Sequence, residues 1–345
     1  GETKTTTEVP PTTTTTTTSH GDLLRRLPDH VLRDKVFTFF GFTDYALTGC
    51  TCTRLHILWT ESMDKHSCPL RVPEDCHTLE EAVKRVGQYG RILTIIVGKG
   101  EHVVEQYYTR DIDGSQIQEN YLQITTAMNI IGKPNVSNTD VIITGGIKIN
   151  KNIQGNVHLK NMTIRESWCF CNGVDGWSSF TMEDIIVEQC GSCGVVAHDA
   201  DGRCTNVEVR QCVHSGVRAN AGSITLLGSK TTVHDNCTYN ERQEFEYGLT
   251  LNGPSSTIQL VFPLTKEIVA TNNGGGQYDF PDEDIFFGGN WGVDGVVHQV
   301  NDTDNSWGAR ITQIKTITAK ESAKAAAAAA KKLAAAVAAA SRGEV

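Results

Sequence analysis

The sequence predicts an all-β main domain folded as a right-handed single-stranded parallel β-helix, and three observations carry that expectation. First, "VHLKNMTIRES", "FTMEDIIVEQCGSCGVVAHDADG" and "CTNVEVRQCVHSGVRANAG" repeat one pattern between residues 157 and 253. Second, aligning Ile164, Val187 and Val209 gives steps of 23 and 22 residues, and aligning Gly173, Gly194 and Gly216 gives steps of 21 and 22. Third, each repeat is made of short apolar and polar alternations punctuated by glycine and asparagine. A self-similar period of this size marks stacked supersecondary units, here short parallel strands.

Each repeat resolves into strands. "NMTIR", "DIIVE" and "NVEVR" alternate as half-buried strands do, which points Met162, Ile164, Ile185, Val187, Val207 and Val209 inward. A second strand follows a turn. There Val195, Ala197, Val217, Ala219, Leu249 and Leu251 point inward, while Val196, His198, Arg218, Asn220, Thr250 and Asn252 point outward. Arg165, Glu188 and Arg210 each follow an inward aliphatic residue, so they are expected to stack outside as a ladder of alternating sign.

The 345 residues carry a formal charge of −9, and no basic run exists outside the tail, which disfavours nucleic acid as a partner. The apolar segments fall far short of a membrane span. Eleven cysteines, several at interior positions of the repeat, fit reduced thiols and hence the cytoplasm or nucleus. The chain starts at Gly1 rather than Met, which leaves a cleaved targeting peptide open.

Residues 1–20 hold eleven threonines between Thr3 and Thr18, too few apolar groups to pack, and read as a disordered leader. Residues 21–66 change to helical periodicity, with Val31, Leu32, Val36, Phe39 and Phe40 on one face. Pro28 suits a first helical turn, Gly41 a stop, and Thr43 with Asp44 a second cap. This stretch resembles an F-box, on Leu27-Pro28, Val31-Leu32, the turn before Thr43-Asp44, Leu47, Cys50 or Cys52, Arg54 and Trp59 in that family's order. The resemblance implies that Leu27, Pro28, Val31 and Leu32 contact a Skp1-like adaptor. It covers about a tenth of the chain.

Residues 76–318 are expected to form the β-helix with its N-terminal cap. Thr78 and Glu81 make a capping box, and Leu79, Ala82, Val83 and Val86 an apolar stripe, so a helix here would plug the open end of the solenoid. "TIIVGKGEHV", "MNIIGKP" and "VIITGG" supply the early coils, "STIQLVF" and "EIVATNNGGGQYDF" later strands and turns, and "ITQIKTIT" the last strand. This order is similar to the pectin-lyase-like superfamily, in particular its carbohydrate-binding and sugar-hydrolase repeat type, over roughly residues 76–315. F-box proteins carrying such a β-helix as their substrate-binding half have a similar order of parts. Residues 319–345, with thirteen alanines between Ala323 and Ala340, read as a solvated helical tail in which only Leu333 and Val337 offer a docking stripe.

The chemistry of that superfamily does not carry over residue by residue. Polygalacturonase-type hydrolysis needs clustered aspartates with glycine-histidine-glycine and arginine-isoleucine-lysine motifs. Here "NTD" at 138–140 stands alone, and "VHSGV" and "ARIT" do not match. A lyase site needs several carboxylates around Ca²⁺, for which only Asp175, Asp199 and Asp201 with His198 and Arg218 are near by column. "CGSC" at 190–193 has zinc-ligand spacing, but Cys190 and Cys212 hold the same place in successive coils, as small interior residues do. No cofactor or metal is therefore expected.

The expected ligand-binding face is the outward column containing Asp175, Trp177, His198, Arg218, Asn220 and Asn252, which mixes aromatic, polar and charged groups. The leading functional expectation is a non-enzymatic substrate receptor of a ubiquitin ligase, joining an adaptor to a protein target. The alternatives are a glycan-binding or polysaccharide-cleaving β-helix, and a structural assembly component.

Overall fold

The computed structural model describes residues 69–341 apart from 90–93, 106, 113–114, 169, 239–245, 281–282, 294–297 and 300–312. The threonine-rich leader and the F-box-like unit, with Leu27, Pro28, Val31 and Leu32, lie outside the described residues. The described chain belongs to one unit, Pro69–Val345.

This unit is a parallel β-helix with three faces. The first face stacks Leu70–Val72, Thr94–Val97, Asn129–Gly132, the first halves of Val157–Arg165 and Phe180–Glu188, then Asp201–Thr205, Ser223–Leu227, Thr257–Val261 and Ile314–Ile317. The second face takes the second halves of the two long strands, between Gly100–Val103 and Val141–Thr144 on one side and Glu208–Arg210, Thr232–His234 and Ala270–Thr271 on the other. The third face runs Ser115–Ile124, Gly146–Ile149, Val174–Gly176, Val195–His198, Val217–Asn220, Tyr247–Asn252 and Glu283–Val293. Every pairing along these three stacks is parallel.

The corners recur as columns of left-handed residues. Asn161, Asp184 and Asn206 (φ 57°, 53° and 52°) bend the chain from the first face to the second, and Glu166, Gln189, Gln211, Asp235 and Asn272 leave the second face with φ between 53° and 54°. Asp199, Ala221 and Gly253 leave the third at 47°, 54° and 91°. Short polar side chains tolerate this region because they bond locally. Asn206 also ties this column together between coils, donating through Nδ2 to Asp184 Oδ1 at 3.2 Å in the preceding coil.

The core is the space between the faces. The repeat's inward residues, Met162, Ile164, Ile185, Val187, Val207, Val209, Val195, Ala197, Val217, Ala219, Leu249 and Leu251, are all fully buried. Each Met, Ile, Val or Leu side chain so buried contributes roughly 1.5–3 kcal/mol, and each alanine less. The glycine column has a steric reason. A Cβ on Gly194 would lie 2.3 Å from Val209 Cγ1 and 2.6 Å from the Gly216 carbonyl oxygen, and Gly173 and Gly216 meet equivalent atoms of the following coil at 2.4 Å. Cys190 and Cys212 stack inside, with no exposed surface. Outside, Glu188 lies in register between Arg165 and Arg210, and accepts from Arg210 at 2.6 and 2.9 Å.

Helix α1 (Leu79–Tyr89) covers the open end and buries Leu79, Ala82, Val83 and Val86. Thr78 Oγ1 accepts from the Glu81 amide at 3.2 Å, while Glu81 reaches back to the His77 amide at 3.0 Å rather than to Thr78. Three features differ from the sequence expectation. Leu70–Val72, ahead of residue 76, pairs with Thr94–Val97, so the solenoid begins before its capping helix. Tyr107–Ile112 and Ser115–Ile124 form an antiparallel hairpin that interrupts the early repeat. "KEIV" is a short helix, α2 (Lys266–Val269), rather than strand, because only Val269 turns into the core while Ile268 is exposed. The tail is helix α3 (Ala319–Ser341), started by reciprocal Thr318 and Glu321 bonds and anchored where Arg203 donates to buried Ser322 at 2.9 Å.

Candidate ligand-binding face

The parallel register of the third face resolves the expected outward residues into two adjacent columns. Gln123, Lys148, Asp175, Val196, Arg218 and Thr250 stack in one, since each is the register partner of the next. His198, Asn220 and Asn252 stack in the other, with Trp177 one coil before His198. Neighbouring strands lie about 4.8 Å apart, so each column is a fixed series of side chains at coil pitch.

The two columns are tied together at Asp175, which is 5 % exposed. Its Oδ1 accepts from Asn172 Nδ2 at 3.1 Å and from His198 Nε2 at 3.0 Å, and its Oδ2 accepts from Trp177 Nε1 at 3.1 Å. A carboxylate only accepts, so Nε2 of His198 carries a proton there, and Nδ1 faces the Asn220 amide at 3.0 Å. Burial alone would raise the Asp175 carboxyl, but the His198 and Trp177 contacts outweigh it and hold the group below the ordinary carboxylate range. The Trp177 ring lies between two groups, with the His198 ring parallel at 4.0 Å on one side and Lys151 Nζ 4.2 Å from its centroid.

Upstream, the network continues into residues that composition gave no reason to single out. The Tyr121 hydroxyl oxygen accepts from the Asn172 amide at 2.6 Å, and burial, reinforced by the Asp175 charge, pushes its phenol well up. Lys148 stands 3.7 Å from Glu119 and 5.2 Å from the centre of the Tyr121 ring. Downstream, Arg218 lies 3.4 Å from Glu246, which also accepts from the Ser215 amide at 3.0 Å and from the Ser215 hydroxyl. Ser215 and Thr250 share a hydroxyl contact at 2.8 Å.

The outward residues of this face differ widely in exposure. Asp175, Val196 and Thr250 project outward from the strands yet are 5 %, 2 % and 0 % exposed; Asp175 lies under the donors of Asn172, Trp177 and His198, and the Thr250 hydroxyl meets Ser215 and the Tyr247 backbone. His198, Arg218, Asn220 and Asn252 keep partial exposure. Trp177 is also partly exposed, but both of its ring faces have neighbours. Asn172, Lys148 and Glu246 were missed; Lys148 could have been found by extending the column one coil earlier.

Among the described residues, no group of three or more His, Cys, Asp or Glu side chains is placed to hold a metal ion. The C-x2-C cysteines sit in the interior, where burial pushes the Cys193 thiol up to about 12.

No protein-family model matches the chain, and no curated protein matches it. Among solved structures it is similar to the catalytic domain of a GH87 α-1,3-glucanase in complex with tetrasaccharides, at 13 % identity and a TM-score of 0.28, and to the same domain in complex with nigerose, at 13 % and 0.24. Each alignment covers 66 % of this chain and 52 % of the other, so the chain spans about half the length of these structures.

Proposed function

We propose that this chain is a glycan-binding β-helix protein whose third face receives a polysaccharide strand running along the stack. The observation that supports it is the column of His198, Asn220 and Asn252, partly exposed hydrogen-bonding groups repeated at coil pitch. A polymer of hydroxyl-bearing units suits the successive side-chain amides of Asn220 and Asn252, since both partners donate and accept, while His198, whose two ring nitrogens meet Asp175 and Asn220, positions the row. The array is held in place before any ligand arrives, through the Asp175, His198 and Asn220 contacts, so little side-chain entropy is lost on binding.

Binding is favoured over cleavage because the central carboxylate, Asp175, already accepts three hydrogen bonds and is held ionised, which suits an orienting group rather than a general acid. A calorimetric panel of neutral and acidic oligosaccharides tests the proposal. Asn220→Ala and Asn252→Ala are each expected to weaken binding by about 1 kcal/mol, the scale of one hydrogen bond. Absence of binding across the panel overturns it, and release of reducing sugar or of an unsaturated uronate would convert it to an enzyme.

The F-box-like motif at Leu27, Pro28, Val31 and Leu32 supports a second partner, a Skp1-like adaptor, for the N-terminal residues. Capture of the adaptor by the full chain, and its loss on replacing Leu27 and Pro28 by alanine, is the corresponding test.

A further inference from the structure

We infer that His198 decides which end of the Asn220 side-chain amide meets a ligand, so that the third face offers an acceptor there while the His198 ring is neutral and a donor once the ring is charged. His198 Nε2 lies 3.0 Å from Asp175 Oδ1, and its Nδ1 lies 3.0 Å from Asn220 Nδ2. The Asp175 carboxylate only accepts, so Nε2 donates to it, and a neutral ring then has only the Nδ1 lone pair to turn towards Asn220. The amide answers with Nδ2, which leaves Oδ1 as the end that a ligand can meet. A charged ring carries a proton on both nitrogens. The same contact then requires Oδ1 against the ring and leaves the Nδ2 group for the ligand.

The surroundings permit this exchange and resist others. The His198 ring is stacked on Trp177 at 4.0 Å, and both are bonded to Asp175, so the ring stays in place when its charge changes. Asn220 is partly exposed, and among the described residues its side chain makes no hydrogen bond other than the one to His198. Its terminal torsion is soft and roughly two-fold, so a half-turn swaps Oδ1 and Nδ2 without moving the backbone. The charged groups placed round the ring are Asp175 on the coil before and Lys151 beyond the Trp177 ring, with Asp199 and Asp201 in the turn that follows. Lys148 and Arg218 stand in the adjacent column, beside Glu119 and Glu246 respectively. Asp175, in direct contact and held ionised, favours the charged ring, which the cations oppose. The ligand chemistry follows from the amide and rests on the glycan reading. A sugar hydroxyl is satisfied by either end of Asn220, whereas a uronate carboxylate needs the donor end. Histidines change charge between about pH 5 and 8, where a sugar carboxylate stays ionised, so acidification should select acidic over neutral glycans.

The switch is read first in the unliganded full chain, by nitrogen NMR between about pH 8 and 5.5. At the upper end the expected signature is a His198 ring protonated at Nε2 alone, with a through-hydrogen-bond coupling from Asn220 Nδ2 to His198 Nδ1. On acidification that coupling should vanish in step with the appearance of the Nδ1 proton. A coupling that survives, or a ring whose charge does not change over the range, overturns the inference. Calorimetry over the same range should show an oligouronate gaining at least about fivefold in affinity, the scale of one hydrogen bond, while a neutral oligosaccharide changes by less than about twofold. In His198→Gln, which cannot titrate, the gain should disappear. Asn220→Ala keeps the ring charge but has no amide to turn, so its gain should be smaller; an equal gain there assigns the effect to charge alone and overturns the part given to Asn220. Sugar binding without the spectral switch overturns this inference and leaves the glycan reading standing. The spectral switch without sugar binding overturns the glycan reading and the selectivity for uronates.

Discussion

Trp177 and His198, one coil apart in the same outward column, stack with ring centroids 4.0 Å apart and planes 5° from parallel, and both donate to the single carboxylate of Asp175. The pair works as one rigid object. Asp175→Ala would strand three donors, those of Asn172, Trp177 and His198, inside a largely covered site. The expected cost is about 2–4 kcal/mol, well above that of an exposed aspartate, and urea denaturation measures it. Asn252→Ala, on the same face but outside this network, should change stability by less than about 0.5 kcal/mol.

Gly194→Ala places a methyl group against Val209 and the backbone of the next coil at distances that no side-chain rotation relieves. Its cost should reach or exceed the roughly 1–3 kcal/mol of ordinary overpacking. A thermal melt within error of the parent would contradict the steric account of the glycine column.

Ala221 carries the opposite expectation. It is an exposed non-glycine residue with φ of 54°, at the corner where the following coil has Gly253. Ala221→Gly removes the left-handed penalty at the expense of a more flexible unfolded chain, for a net gain of about 0.5–1 kcal/mol. A lower unfolding midpoint would show that the methyl group packs.

Acidification should weaken the fold in two separate windows. Burial lowers His158 and His214 below the ordinary histidine value, so the folded chain binds fewer protons than the unfolded chain. Stability is then lost as pH falls through the unfolded value near 6.5, and the loss levels off below the folded values. The Asp175 carboxyl, also lowered, loses its contribution only at still lower pH, as the folded form protonates. Urea midpoints between pH 7.5 and 5.5 should decline, and His158→Gln should flatten that slope.

How much of this was visible in the sequence depends on whether the cause was local. The Val187 and Val209 spacing, the glycine column and the Thr78–Glu81 cap are set by neighbours one coil or one turn away, and periodicity displays such causes directly. The Tyr107–Ile112 hairpin broke the period, and Leu70–Val72 lies before the helix that looked like the start, so the first coils were blurred. The face was legible as a set of residues but not as a surface. Alternation says that Asp175 points outward; it does not say that donors two, three and twenty-three residues away close over it.

The corner from the second face to the third is the single residue Gly145 in one coil, 189–194 and 211–216 in two others and 166–173 in a fourth, whereas the bend within the two long strands is a single residue, Asn161 or Asp184. Strand register stays parallel across all of these lengths. Alignment between coils is therefore stored in the stack and not in the loops, which makes this corner the natural place for grafting. A peptide spliced between Gly191 and Ser192 would be displayed beside the third face at a chosen height along the axis, with the coils above and below acting as its ruler.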